Sequence, residues 1–297
     1  MLRDLLRLDW RSDDRATEQA TEQATEDGRE PDWIKPAATN LWYLLATIYG
    51  TRGEDQELQA KNRLVWNRFM SKWLNPTQRK NLLDTGRYTE HELTGLNNDE
   101  LDKIQQQLVE RGANKQHILE LSNARWLSVY RIKFDEDINF DDYIFTIRAN
   151  FSDCYFCRYT NFIRATFFAD ADFGGAHFRM FTHFNEAEFF GKVEFGSAKF
   201  LYPEKSEFAG AIFHQRAGFQ STLFNGPMSF DNVKFHRTAN FAGAQFTWDG
   251  SNFLEGPVSF VNSIFDNQTS FEGAEFRHFA PLFLALLNFV WARRRQD

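Results

Sequence analysis

Phenylalanine recurs along the second half of this chain at intervals that neither a single helix nor a flat sheet can use. The rings fall at 140, 145, 151, 156, 162, 167, 173, 178, 184, 189, 195, 200, 208, 213, 219, 224, 230, 235, 241, 246, 253, 260, 265, 271 and 276. Twelve of the 24 intervals are five residues and nine are six, mostly in alternation. The helical period of roughly 3.6 and the strand period of about 2 divide neither five nor eleven cleanly. A fixed internal period outranks any local motif, because each repeat buries its apolar face only against its neighbours. Composition agrees: there are 33 phenylalanines among 297 residues, but only 8 tyrosines and 8 tryptophans. Such an excess points to one slot, used repeatedly, that accepts one shape.

The position two residues before each ring is small. It holds Ala149, Cys154, Thr160, Ala165, Ala171, Ala176, Thr182, Ala187, Val193, Ala198, Ala211, Ala217, Ala239, Ala244 and Ala274. The residue between is more often polar, as at Asn150, Asn161, Asp172, Asn240 and Asn252. Short extended segments with the small residue and the ring inward, and the middle residue outward, give this pattern.

Ala171-Asp172-Phe173-Gly174-Gly175 and Ala239-Asn240-Phe241-Ala242-Gly243 resemble the A(D/N)(L/F)XX unit of pentapeptide-repeat proteins, in its phenylalanine form, with one extra residue after alternate units. The resemblance spans about residues 138–278. It implies a mainly β fold, a right-handed quadrilateral β-helix with four units per coil. Each coil then takes about 22 residues, giving about six coils in a repeat solenoid. With rungs ~4.8 Å apart the rod is roughly 30 Å long. Phe151, Phe156, Phe162, Phe167, Phe173, Phe178, Phe184, Phe189, Phe195, Phe200, Phe208 and Phe213 are expected in its core ladder, followed by Phe219, Phe224, Phe230, Phe235, Phe241, Phe246, Phe260, Phe265, Phe271 and Phe276. Counted as a unit, Phe253 sets the frame of the last coils and threads Ile264 above Asn240. Surplus residues are expected at corners, where Pro227 and Pro257 each follow a glycine.

The rest of the chain divides by composition. Residues 1–35 read as a polar arm, with Ala-Thr-Glu-Gln repeating from Ala16, and have little apolar surface to offset ordering. Residues 36–133 read as an α-helical domain capping the first coil. Glu57 to Leu74 places Leu58, Val65, Phe69 and Trp73 on one helical face. Asn75-Pro76 opens the next helix, Thr89 and Glu92 have capping-box spacing, and Gly112 is a C-terminal cap. Residues 134–278 are the solenoid, and 279–297 an apolar helix with a basic tail that lids the last coil, pairs two chains or rests on an anionic membrane.

No catalytic constellation emerges: P-loop, nucleophile elbow and HExxH are absent from the sequence, and no cofactor or metal is expected. Cys154 and Cys157 form a CxxC, but the frame points one inward and the other outward. Asn62, Arg63, Trp66, Asn67 and Arg68, with His91, are placed either to tether the first coil or to line a pocket. Phe168, Phe190, His214 and His236 each follow a frame ring and should stack as one outer column, a candidate partner surface.

The net charge of −7 argues against direct nucleic-acid binding. The resemblance also suggests gyrase antagonism or protection through mimicry of B-form DNA. However, the outer column Asn150, Asp172, Glu194, Gly218, Asn240 and Ile264 is only thinly acidic. Two cysteines suit a reducing cytoplasm. The leading expectation is a non-catalytic bacterial interaction scaffold for a protein partner, with a homodimer and peripheral membrane contact through 279–297 as further possibilities.

Overall fold

Extended segments of two or three residues cannot bury a core alone; here they bury it by stacking. The computed structural model describes residues 31, 33–51, 55–121, 123–202, 206–247, 258–266 and 268–276, without the side chains at 119 and 120. The chain divides into units 1–35 and 36–297. In the first, the Ile34 N–H donates to the Pro31 carbonyl (3.1 Å), and most of the expected polar arm lies outside the described residues. The expected C-terminal helix at 279–297 lies outside them as well.

From Trp126 to Phe276 the described residues form a parallel β-solenoid with four sheets. Face I stacks Trp126–Ser128, Arg148–Asn150, Ala171–Asp172, Val193–Glu194, Ala217–Gly218 and Ala239–Asn240. Face II runs from Ile132–Phe134 through Tyr155–Phe156, His177–Phe178, Lys199–Phe200, Leu223–Asn225 and Gln245–Thr247 to Glu275–Phe276. Face III runs from Ile138–Asn139 to Val258–Ser259, and face IV from Ile144–Phe145 to Lys234–Phe235. The chain visits I, II, III and IV in turn, one coil per circuit. Trp126–Ser128 and Ile132–Phe134 pair in register with Arg148–Asn150 and Tyr155–Phe156, so the ladder begins with Val129 and Phe134, before the first ring of the periodic series.

Inside the bore the rings obey two rules. Along each face they stack nearly parallel: Phe145 on Phe167 at 4.4 Å, Phe162 on Phe184 at 4.9 Å, Phe178 on Phe200 at 4.7 Å. Across the bore, faces I and III meet edge to face, as in Phe173–Phe184 (5.4 Å, 83°) and Phe195–Phe208 (5.4 Å, 89°). The ring quadrupole favours both arrangements. All the rings from Phe134 to Phe246 that the frame places inside are buried. Phe260, Phe265, Phe271 and Phe276, at the far end, are half-buried. The inward slot must be small because four rings already fill each layer. Two of its polar members bond main-chain carbonyls: Cys154 Sγ donates to Val129 (2.8 Å) and Thr222 Oγ1 to Phe195 (2.7 Å).

Five alternates with six because the corners are of two kinds. After faces I and III the chain makes a four-residue turn closed by the ring carbonyl, as in Ala165 N–H to Phe162 (3.1 Å) and Ala176 N–H to Phe173 (3.1 Å). The third turn residue is left-handed throughout, for example Asp153, Arg164, Glu186, Ser197 and Asn232, with Gly175, Gly210, Gly243 and Gly273 taking the same place. The Asp or Asn between small residue and ring supports this turn rather than merely facing water. Asn150, Asn161, Asp172 and Asn240 each accept the N–H two residues on, at 2.7 to 3.0 Å.

The frame needs one correction. Phe260 stacks on Phe230 at 5.0 Å and Phe276 on Phe246 at 4.8 Å, partners thirty residues apart. The coil that joins Thr247 of face II to Val258 of face III is therefore eight residues longer than a regular one, 30 against 22, and Phe253 lies outside the described residues. The shift moves Ile264 to face IV beside Lys234, and Ser270 stands over Asn240. Counting intervals could not reveal this, because stacking rather than spacing sets the register.

The first coil is closed by helices α1 (Leu41–Ala46), α2 (Gln56–Met70), α3 (Pro76–Asp84), α4 (Glu90–Leu93), α5 (Asn98–Glu110) and α6 (Lys115–Leu121). Asn75 caps α3 with a reciprocal capping box, and Pro76 sits at its first turn. Thr89 caps α4 by accepting from the Glu92 N–H (3.2 Å), but the Glu92 carboxylate does not return the bond. It accepts instead from Asn67 Nδ2 (2.9 Å) and pairs with Arg63 (3.3 Å). Gly112, at φ +91°, follows α5.

Candidate interaction surface

The seam between helices and coil is built by α2. Trp66 is buried, and its ring meets Phe140, Tyr143 and Phe145 at 5.5 to 6.3 Å. Its Nε1–H donates to the Ile144 carbonyl (2.8 Å). Beside it, Asn67 donates to the Asp142 carbonyl (3.0 Å) and accepts from the Ile144 N–H (2.9 Å). One coil higher, the Thr166 N–H makes the corresponding bond to the Tyr143 carbonyl (2.9 Å). A side-chain amide thus replaces the strand missing beneath the first rung. Arg164 forks onto Asp142 (2.9 Å) and reaches Asp141 (2.7 Å), and Arg63 adds a weaker contact to Asp142 (3.4 Å). Burial raises the Asp141 pKa, and the Asp142 charge beside it adds to the shift.

Of the sequence candidates for a pocket, Asn62 is used up on Tyr49 and Gly50 (2.9 Å each), and Arg68 on Glu100 (2.5 and 2.8 Å). His91 is exposed on α4. Cavities of about 30 and 10 Å³ lie at the seam, room for roughly one or two waters. Trp66, Asn67 and Arg63 tether the first coil through Ile144 and Asp142, whereas Asn62 and Arg68 bond within the helical domain.

The cysteines separate as the frame requires. Cys154 is buried, with its thiol pKa raised by desolvation, and Cys157 lies half-buried. Among the described residues no group of three or more His, Cys, Asp or Glu is arranged to hold a metal.

On face IV the outer column forms as its spacing requires. Phe168 stacks on Phe190 (5.0 Å, 16°), Phe190 on His214 (4.4 Å, 6°), and His214 on His236 (5.2 Å, 23°). The four rings present their edges outward; the first three are half-buried and His236 is exposed. The His214 Nε2 lies 2.8 Å from the Glu188 carboxylate on the neighbouring strand. A second outer stack, missed by sequence reasoning, puts His177 on Tyr155 at 4.3 Å. His177 is buried, and desolvation, with Lys199 and Arg179 adding to it, lowers its pKa to about 3. The signal was available, since both residues precede a frame ring on successive coils.

Face I carries the acidic column. Asp172 and Glu194 both have raised pKa values, with desolvation as the main cause. Gly218 interrupts the column, and the Glu194 carboxylate lies over it. Asn240 and Ser270 continue it without charge.

No family model, curated protein or solved structure matches this chain. The four-faced solenoid and its phenylalanine period of about five stand on geometry alone. Among the described residues, no helix is long and apolar enough to cross a membrane.

Proposed function

We propose that the chain is a non-catalytic interaction scaffold of the pentapeptide-repeat type, which presents face IV of its solenoid to a protein partner in the cytoplasm. The observation that carries this reading is the outer column of Phe168, Phe190, His214 and His236. The bore is already filled by its own ladder, and although Phe168 also packs against the core, the four rings give one side of the rod an aromatic strip. Aromatic residues at a protein surface supply large contact area for little ordering entropy. A rigid rod also loses little freedom on binding. The neutral stretch at Gly218, Asn240 and Ser270 supports this reading over DNA mimicry, which needs charge spaced like phosphates.

A photo-crosslinking residue placed at Phe190, and as control at exposed Arg158, tests it in cells. One dominant protein adduct from position 190 is expected. Equal adduct yields from both positions would overturn the reading.

A further inference from the structure

The corner between faces IV and I, with face IV beside it, gathers nearly half of the positive charge of the solenoid. Residues 134–278 hold 11 Lys or Arg against 19 Asp or Glu. Five of those eleven, Arg148, Lys192, Arg216, Lys234 and Arg237, stand on this corner or on face IV beside it, all exposed. Register and main-chain bonding align the corner. Trp126 pairs with Arg148, Ala149 N–H donates to Asp170, Ala171 to Lys192 and Val193 to Arg216, at 2.9 to 3.1 Å. Among the described residues, Arg216 has Glu194 at 3.8 Å, whereas no carboxylate lies within ion-pair distance of Lys192, Lys234 or Arg237. Glu188, the nearest acid on face IV, is held by His214. Trp126, at the foot of the corner, is 63% exposed.

We propose that this corner docks an acidic, extended polypeptide segment of a partner protein. The inference rests on the scaffold reading and adds the chemistry of the partner. Carboxylates of the segment meet Lys192, Arg216 and Arg237, while its apolar residues lie on the ring edges of Phe168 and Phe190 and on Trp126. Rungs rise ~4.8 Å, and alternate side chains of an extended chain repeat every ~7 Å, so a short segment spans several cations. Opposite charge steers such a segment in and fixes its register, and the aromatic strip beside it supplies apolar contact. A nucleic-acid backbone fits worse. Asp170, Glu188 and Glu194 punctuate the same strip and would repel an unbroken row of phosphates, whereas a peptide can set neutral or basic residues against them.

The test is fluorescence anisotropy of a labelled peptide of alternating Glu and Leu, titrated with the intact chain at low ionic strength. Saturable binding is expected. The pair Lys192→Glu and Arg216→Glu should weaken it at least tenfold, while Arg158→Glu and Arg179→Glu, exposed elsewhere on the rod, leave it unchanged. Both double variants should melt with the parent protein, since all four side chains are exposed. Absence of saturable binding, equal loss in the two double variants, or preference for a single-stranded oligonucleotide or phosphatidylserine vesicles would each overturn the proposal. Crosslinks from position 190 that survive the pair Lys192→Glu and Arg216→Glu would show the scaffold reading standing while the acidic partner falls.

Discussion

The seam and the bore of this molecule solve one problem, burying a flat aromatic layer, by opposite means. In the bore every layer is covered by another like it, so Phe162, Phe184 and Phe208 have nearly interchangeable surroundings. At the seam no such layer exists, and each bond is made once. Asn67 stands in for a strand, Trp66 covers the rings of the first coil, and Tyr143 Oη donates to the Ala46 carbonyl at 3.1 Å. Repetition gives stability to which no single residue is essential by chemistry. Termination depends on individuals.

Seam and bore should differ most under cavity formation. Phe184→Ala should cost about 3–5 kcal/mol, because rings fixed on both sides cannot collapse into the hole. Phe276→Ala, at a half-buried end, should cost less than half of that in the same urea titration. Equal losses would mean that the ladder does not stiffen toward its middle.

Acid supplies the next largest effect. The unfolded chain protonates His177 below its ordinary pKa of 6.5, whereas the folded protein resists down to about 3. Stability should therefore fall as pH drops through that window, by about 1.4 kcal/mol per pH unit. Carboxylates titrate in the same range, so the readout is a difference: His177→Phe should melt with a flatter dependence between pH 6.5 and 4 than the parent. Parallel curves would place the imidazole in water.

Asn67→Ala should cost about 2–3 kcal/mol, the range for orphaning a buried donor and acceptor. Hydrogen exchange at the Ile144 amide should accelerate, while that of Phe213 stays unchanged. Uniform acceleration would show seam and bore to be one cooperative unit. The smallest effect belongs to the corners. Gly175→Ala forces a methyl into a left-handed turn against the Asp153 carboxylate and should lower stability by about 1–2 kcal/mol. Ser197→Gly, at the same place one coil on, should stay near neutral in thermal melts.

The two regions were unequally legible in the sequence. The bore was readable because every rung repeats the same instruction, and even the outer column of Phe168 to His236 followed from position after a frame ring. The seam was not. Asn67 sits on a helix and bonds Ile144 across 77 positions, and no periodicity marks a contact that occurs once. Glu92 shows the same limit: local spacing fitted a capping box, yet Asn67 and Arg63 took its carboxylate. The left-handed corners had a visible trace in Gly175, Gly210, Gly243 and Gly273, but six non-glycine residues from Asp153 to Asn232 obscured it. Phe253 misled because two intervals of seven resemble small irregularities. The stacking of Phe260 on Phe230 and of Phe276 on Phe246 reveals the longer coil.

Both departures from regular coil length fall on the same edge of the rod. Paired positions lie 22 residues apart in a regular coil (Ala171 and Val193), 24 where the coil includes 203–205 (Val193 and Ala217), and 30 where it includes 248–257 (Met228 and Val258). Each insertion leaves after face II and rejoins at face III with the rings above and below still aligned. Foreign sequence can therefore be grafted along that one margin without resetting anything downstream. Coil length can thus vary on that margin while the rungs above and below keep their alignment.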